Sequence, residues 1–371
     1  MDKNLSSLSQ IQVRRGLPDV EWDTFVEATQ GGTYHQSSMW AQVKAVMGWE
    51  SARLLLRREG KITAGCQLLL RALPFAGGAI AYAPRGPVVA DHEAGALQTV
   101  LSALGEFACQ ERIVYLKVQP PPDHHDMAGE LAARGFVESS LEAAPMATVR
   151  IDLQRSPASL LGAMRQNTQR NIKKGRRLGV VVREGHEEDL QEFCSLIDAT
   201  SHRQGFAAYP HQYYEQMWRA FASRGHAQLL IAEHDGAVLA SNLIIGFAND
   251  ATFKMGGWYG VKKSVPPNEL LHWAGMEWGR ARGYRYYDFD NMNPSIVQGL
   301  LAGDQSPESV KGVARFKLGF GGEVIMFPSA YDYTYRPLLA SALRRLAPKL
   351  DRLRPLADRV LGRGGAAVSP S

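Results

Sequence analysis

An α/β chain built of two similar domains, each a mixed twisted sheet flanked by helices, is what this sequence predicts, on three observations. A hairpin pattern occurs twice, a helix-then-strand pattern follows each copy at a nearly constant offset, and 371 residues suit two cores of ordinary size. Residues 54–70 read LLLRREGKITAGCQLLL and residues 230–245 read LIAEHDGAVLASNLII. With Gly60 set on Gly236, Leu54 falls on Leu230, Ile62 on Val238 and Ala64 on Ala240. Each segment is an apolar run, a charged turn with glycine and a second apolar run, as two antiparallel strands require.

Downstream, residues 98–110 and 269–282 carry apolar residues at helical spacing, with Glu106-Phe107 matching Glu277-Trp278. Each helix runs into a strand, IVYLKV at 113–118 and YRYYDF at 284–289. The repeated order argues for an internal duplication and places domains at 1–149 and 150–328, with 329–371 as a return segment and basic tail. In the second domain Ser156 is a plausible N-cap, Pro157 takes the first helical position, and one helix is expected to Leu178 before Gly179 as C-cap. Further helices are expected from near Glu187 and over 212–222. Residues 337–361 have apolar residues at helical spacing among many arginines, which fits a helix packed on the body or one lying on a membrane surface.

The apolar fraction of 45% with 21% charged residues is that of a soluble globular protein. No stretch approaches the roughly 20 apolar residues needed to span a bilayer, and the polar first fifteen residues lack the apolar core of a secretory signal, so the expected location is cytoplasmic. Cys66, Cys109 and Cys194 sit singly in apolar surroundings without CxxC spacing, and read as buried free thiols in a reducing compartment. No HExxH, Cys/His cluster or acidic calcium loop occurs, so no metal is expected, and His124-His125 reads as a solvated pair in a Pro-rich loop.

The net charge of +5 is modest, but its placement is uneven. Arg165, Arg170, Lys173, Lys174, Arg176, Arg177 and Arg183 follow one another with no acid until Glu184. Mixed charge serves solubility better than such a run, so the basic helix is expected to bind the backbone of RNA or membrane phosphates.

Three further motifs carry chemistry. Residues 315–322 read RFKLGFGG, in which Phe316 and Phe320 frame Lys317 and three glycines thin the backbone, predicting a close-approach loop that holds a cation against a ligand. A fixed lysine there suits the oxyanion that develops when an amine attacks an ester carbonyl. In YAPRGP, two prolines fix a turn around Arg85, which either binds phosphate or closes a strand. In WAQVKAVMGW, Trp40 and Lys44 lie one helical turn apart and share a face, so Lys44 is a candidate phosphate contact or a solvated charge.

At this point the chain resembles a known family. HQSSMWAQVKAVMGW, YAPRGPVV, LKVQPPP, RQNTQRNIKKGRRLGV, NELLHWAGMEWGRARGYRYYDF and RFKLGFGGEV are similar, in order from about Tyr34 to Tyr333, to the successive signatures of the FemABX peptidyltransferases. The resemblance implies two tandem GNAT-like domains that transfer an amino acid from aminoacyl-tRNA to the stem-peptide amine of a peptidoglycan precursor, UDP-linked or lipid-linked, without cofactor and without DNA. Between Arg183 and Tyr213 the chain is too short for the helical arm of some members, so the match is to the compact form. The resemblance implies that Lys44 and Arg203 contact the precursor's diphosphate, that Phe316 and Lys317 face the aminoacyl ester, and that Tyr209 is an aromatic substrate contact. Arg85, Trp40 and Gln119 complete the expected substrate site, and Arg170, Lys173, Lys174, Arg176 and Arg177 the expected RNA contacts. One departure stands out: the family often has an acid where LKVQPPP has Gln119, and glutamine accepts no proton. Asp123, Asp288 and Asp290 are other acids that the sequence does not place; the preferred expectation is a shuttle through the tRNA ribose hydroxyl with Lys317 supplying electrostatic stabilisation, which needs no protein base.

Two other functions compete. One is an N-acyltransferase using acyl-CoA or acyl carrier protein, against which RARGYR at 280–285 is a poor pyrophosphate loop lying where a helix ends. The other is a non-catalytic binding protein on the same fold, favoured by Gln119 and opposed by Lys44, Arg203 and the RFKLGFGG segment.

Overall fold

A computed structural model of the chain describes residues 11–73, 77–91, 93–124, 126–140, 144–262, 264–304 and 310–340. Two compact units divide the described residues: those up to Ala144 with 327–340, and Pro145–Met326.

The first unit runs β1 (Ile11–Arg14), α1 (Val20–Ala28), α2 (Ser38–Ala45), β2 (Glu50–Arg58), β3 (Lys61–Leu73), β4 (Gly78–Ala83), β5 (Val88–Val89), α3 (Ala96–Gln110), β6 (Ile113–Val118), α4 (Met127–Ala133) and β7 (Val137–Glu138). The second runs β8 (Ala147–Asp152), α5 (Pro157–Ala163), α6 (Gln166–Arg177), β9 (Val181–Gly185), α7 (Leu190–Gln204), α8 (His211–Ala222), β10 (Ala227–His234), β11 (Ala237–Phe247), β12 (Asp250–Trp258), α9 (Asn268–Ala281), β13 (Tyr286–Asp288), α10 (Pro294–Leu301), α11 (Gly312–Leu318) and β14 (Glu323–Met326). The return strand β15 (Tyr331–Thr334) then joins the first unit between β6 and β7.

Both sheets are mixed. The first has the order β1-β2-β3-β4-β6-β15-β7 with β5 on β3, and the second β14-β8-β13-β12-β11-β10-β9. In each the pairings are antiparallel except one, β4 with β6 and β12 with β13. The duplication extends to an irregularity. In the first hairpin Leu56 pairs Ala64 and Arg57 pairs Ile62, leaving Thr63 as the extra residue of a bulge. The second hairpin repeats it at the matching positions, Ala232 with Ala240 and Glu233 with Val238, leaving Leu239. Helix α3 lies on β2, β3 and β6, burying Val100, Leu104 and Phe107; α9 lies on β10 to β13, burying Leu271 and Met276.

Three expectations need correction. The single basic helix is broken: α5 starts as read, with Ser156 Oγ accepting from the Ser159 N–H, but it ends at Ala163, and Arg165 N donates to Gly319 O. That long-range bond, invisible in the local sequence, turns the chain before α6 begins. RFKL is the last turn of a helix rather than a loop. Its glycines approach the protein's own backbone: a Cβ at Gly321 would stand 2.2 Å from Ala163 O, and one at Gly322 2.5 Å from Arg150 O. Cys66 and Cys194 are buried, whereas Cys109 is exposed, because α3 buries Phe107 and Ala108 and turns the next position outward. Most of the helix expected over 337–361 lies outside the described residues.

Candidate functional site

The parallel seams differ between the two units. In the first, β4 and β6 remain paired from Ala79 to Ala83, and Gln119 extends the seam by donating to Ala83 O and accepting from Gly86 N, both at 2.9 Å. In the second, β12 and β13 share only Asp250–Tyr286, Ala251–Tyr287 and Thr252–Asp288. Beyond Asp288 the chain leaves β12 but stays on β8, its neighbour on the other edge, through Phe289 N to Val149 O and Met292 N to Ala147 O. The strands therefore part, and charged side chains gather where they do.

Lys254 stands there because of a β-bulge. Leu243 pairs Met255 and Ile244 pairs Phe253, so Lys254 is the extra residue and its side chain is re-aimed. Its Nζ meets Asp290 Oδ2 at 2.8 Å, and both side chains are largely buried. Lys317, on the last turn of α11, is buried and donates to the carbonyls on either side of Asp290, Phe289 O at 2.8 Å and Asn291 O. Burial lowers its pKa to about 8, against the opposing pull of Asp290 and Asp288. Phe316 belongs to an aromatic cluster, with Phe320 at 5.3 Å and His272 at 5.4 Å between ring centroids. Burial and the Lys317 charge depress the His272 pKa to about 3, so that imidazole is neutral at physiological pH. Tyr209 stacks on Tyr213 at 4.1 Å, and lies within electrostatic reach of Lys254 and Asp290.

Asp288 is fully engaged. Its Oδ1 accepts from Thr148 Oγ1 and the Asp290 N–H, and its Oδ2 from Arg150 Nε at 3.0 Å. Arg203, on α7, is exposed, with Nη1 donating to Trp258 O at 2.8 Å and its guanidinium 5.0 Å from the Trp258 ring centroid. In the first unit Lys44 is half-buried over buried Trp40, 4.7 Å from its ring centroid. Arg85 is enclosed at φ 52°, its guanidinium 4.1 Å from the Phe327 ring centroid. Gln119 is buried, with Tyr82 Oη donating to its Oε1 at 2.8 Å. Asp123 lies in the loop between β6 and α4.

Helix α6 packs on α9 through Ile172 and through Gly175, where a Cβ would stand 2.4 Å from Leu270 Cδ1. Its other faces carry exposed Arg170, Lys173, Arg176 and Arg177, while Lys174 is half-buried. Thus Phe316, Lys317 and Tyr209 come to one region of the second unit, and Lys254 joins them without having been singled out. The one local signal for it was the FKMGGW irregularity, two glycines in a strand.

Comparison with known proteins agrees with this architecture. A FemAB family model matches residues 17–134, and an acetyltransferase (GNAT) domain model matches residues 162–298. The lipid II:glycine glycyltransferase of Staphylococcus aureus (strain MRSA252) is 26% identical over 229 residues, 59% of this chain and 54% of that protein. The chain thus spans about half the length of the curated relatives it matches. The crystal structure of FemX superposes with a TM-score of 0.78 at 18% identity, covering 90% of this chain and 99% of that one. A tandem GNAT protein from the clavulanic acid biosynthesis pathway gives 0.50 at 15%, covering 87% and 98%.

Fold and seam together define a tandem GNAT-like protein. Within that class, the chain is similar to the FemABX family, whose FemAB model matches its first unit.

Proposed function

We propose that this protein is an aminoacyltransferase that moves an amino acid from aminoacyl-tRNA to the stem-peptide amine of a peptidoglycan precursor. The observation that carries the reading is the open seam of the second unit, where β12 and β13 part and Lys254, Lys317 and Tyr209 gather about Asp290 with Phe316 next to Lys317. Similarity to lipid II:glycine glycyltransferases supports a lipid-linked acceptor. Among the described residues no helix is long and apolar enough to cross a membrane.

The donor ester is already activated, and the work left to the protein is to align amine and carbonyl and to stabilise the developing charge. Two of the three Lys317 ammonium protons are held by the Phe289 and Asn291 carbonyls, which leaves one for the oxyanion. Phe316 packs beside the ester, and Tyr209 closes the other side of the gap. Lys44 and Arg203 each contact precursor phosphate, their stems held against Trp40 and Trp258. Arg170, Lys173, Arg176 and Arg177 take the tRNA backbone, and no cofactor is called for.

A second reading, acyl transfer from acyl-CoA to an amine, is favoured by the GNAT domain match. One experiment separates the two: label from a mixed pool of charged tRNAs is offered with UDP-linked and lipid-linked precursors, beside acetyl-CoA. RNase-sensitive incorporation supports the first reading; label from acetyl-CoA alone replaces it with the second.

A further inference from the structure

Asp290 has a backbone at φ 65°, a region that non-glycine residues rarely occupy. The Asn291 N–H donates to Phe289 O at 2.9 Å, so Asp290 is the central residue of a γ-turn with positive φ, a strained form. Three hydrogen bonds from two side chains hold it there. The Asp288 carboxylate accepts the Asp290 N–H at 2.7 Å, and the Lys317 ammonium binds the carbonyls before and after it. Strain that its surroundings over-determine marks positions where a side chain's placement matters. The placement here is between the diverging strands, beside the Lys254 ammonium that the β12 bulge delivers. Lys254 takes Oδ2, and among the described residues no side chain or backbone group donates to Oδ1.

We propose that Asp290 is the catalytic base that accepts the proton of the attacking amine, with Lys254 and Lys317 as positioning partners of its carboxylate and its turn. The proposal rests on the acyl-transfer reading and fills the role that Gln119 cannot. In the step, the amine lone pair forms the C–N bond at the ester carbonyl, and the nitrogen becomes cationic. Its proton passes to Asp290 Oδ1, the carbonyl re-forms, the C–O bond to the donor breaks with its electron pair leaving on the donor oxygen, and the proton returns to that oxygen. Nothing is oxidised or reduced. The groups that face the carboxylate are Lys254 on β12, Lys317 on α11, Asp288 on β13 with its partner Arg150 on β8, and Tyr209 before α8.

The test is Asp290→Gly in the full chain. Glycine tolerates the positive φ, so the turn is kept while the carboxylate is removed. With whichever donor the unaltered chain uses, kcat is expected to fall by about 100-fold or more with the acceptor KM within about threefold. Added formate, a small carboxylate, is expected to restore at least about tenfold of that loss, and Asp290→Glu to exceed Asp290→Asn. A glycine variant within about threefold of the unaltered rate, a loss confined to KM, or a loss that formate leaves in place would overturn the assignment. Absence of transfer by the unaltered chain from any donor would instead overturn the reading on which it rests.

Discussion

In the first unit the parallel pair β4–β6 stays hydrogen-bonded to its end and beyond it, whereas in the second β12 and β13 share three residue pairs and separate. The two halves otherwise repeat each other down to the bulge in their hairpins. What differs is where polar side chains are spent. In the first unit they join the protein to itself: buried Arg53 donates to Asp19, Gln67 and Gly16 O, and Gln119 closes the seam with Tyr82. In the second they satisfy the backbone that the open seam leaves unpaired, as Lys317 does for Phe289 and Asn291. A buried carbonyl without a partner costs about 1–3 kcal/mol, so a gap in a sheet persists only where side chains replace the ladder. A duplicated core can thus keep one copy as a scaffold and open the other for chemistry.

Variants should separate the two roles, and the largest effect is expected in the scaffold. Arg53→Ala takes the buried cation from Asp19, which keeps only the half-buried Arg14 at 3.1 Å, and breaking a buried pair costs about 3–5 kcal/mol. Denaturant unfolding should show the midpoint drop; a shift under about 1 kcal/mol would mean that the closed unit does not depend on this network. At the open seam Lys317→Ala is expected to lower single-turnover transfer by about 10²–10³-fold, a loss of the size seen for a missing oxyanion donor. Unchanged turnover would remove Lys317 from the chemistry and leave it as a clamp on the 289–291 turn.

The charge of Lys317 sets a pH dependence. Its pKa is lowered by burial to about 8, so the ammonium is present at neutral pH and is lost as pH rises through that value. Transfer, corrected for the acceptor's own ionisation, should decline above about pH 8. Over the interval from about 8 to the roughly 10.4 of an unfolded lysine, the native form holds fewer protons than the unfolded one. This group therefore makes stability rise with pH across that window. A pH–rate profile with no decline there would contradict the assignment.

Smaller effects sharpen the contrast. Gln119→Ala should cost about 1–3 kcal/mol of stability through the Tyr82 hydroxyl left unpaired, with transfer reduced less than about tenfold. A loss of about 10²-fold or more in kcat would return a catalytic part to the closed seam. On α6, Lys173→Ala and Arg177→Ala should each lower the salt dependence of tRNA binding by about 1 in slope. Equal slopes for variant and unaltered chain would show that the exposed basic face does not carry RNA.

Much of this was legible beforehand. The hairpins, the strand at Ile113–Val118, the Ser156 cap and the pairing of helices α3 and α9 follow from periodicity and capping, which act over a few residues. Lys317 and Phe316 were visible as a motif, although as a loop rather than a helix end. Its glycines looked like room for a ligand and prove to be room for Ala163 and Arg150. The break between α5 and α6 had no local signal, since it follows from a bond between Arg165 and Gly319. Asp290 was one of three unplaced acids, and Lys254 was not singled out.

Composition and repeat pattern alone therefore settled that this is an α/β protein with two copies of one plan, because hydrophobic alternation and turn chemistry are read by the chain locally. Which copy opens was decided only in three dimensions. β13 lies between β8 and β12; its pairing with β12 stops at Asp288 while its other edge stays on β8, a strand more than a hundred positions earlier in the chain. The bulge that carries Lys254 and the turn that carries Asp290 meet only once both strands are in the sheet, so their ion pair is a property of the fold and not of either segment.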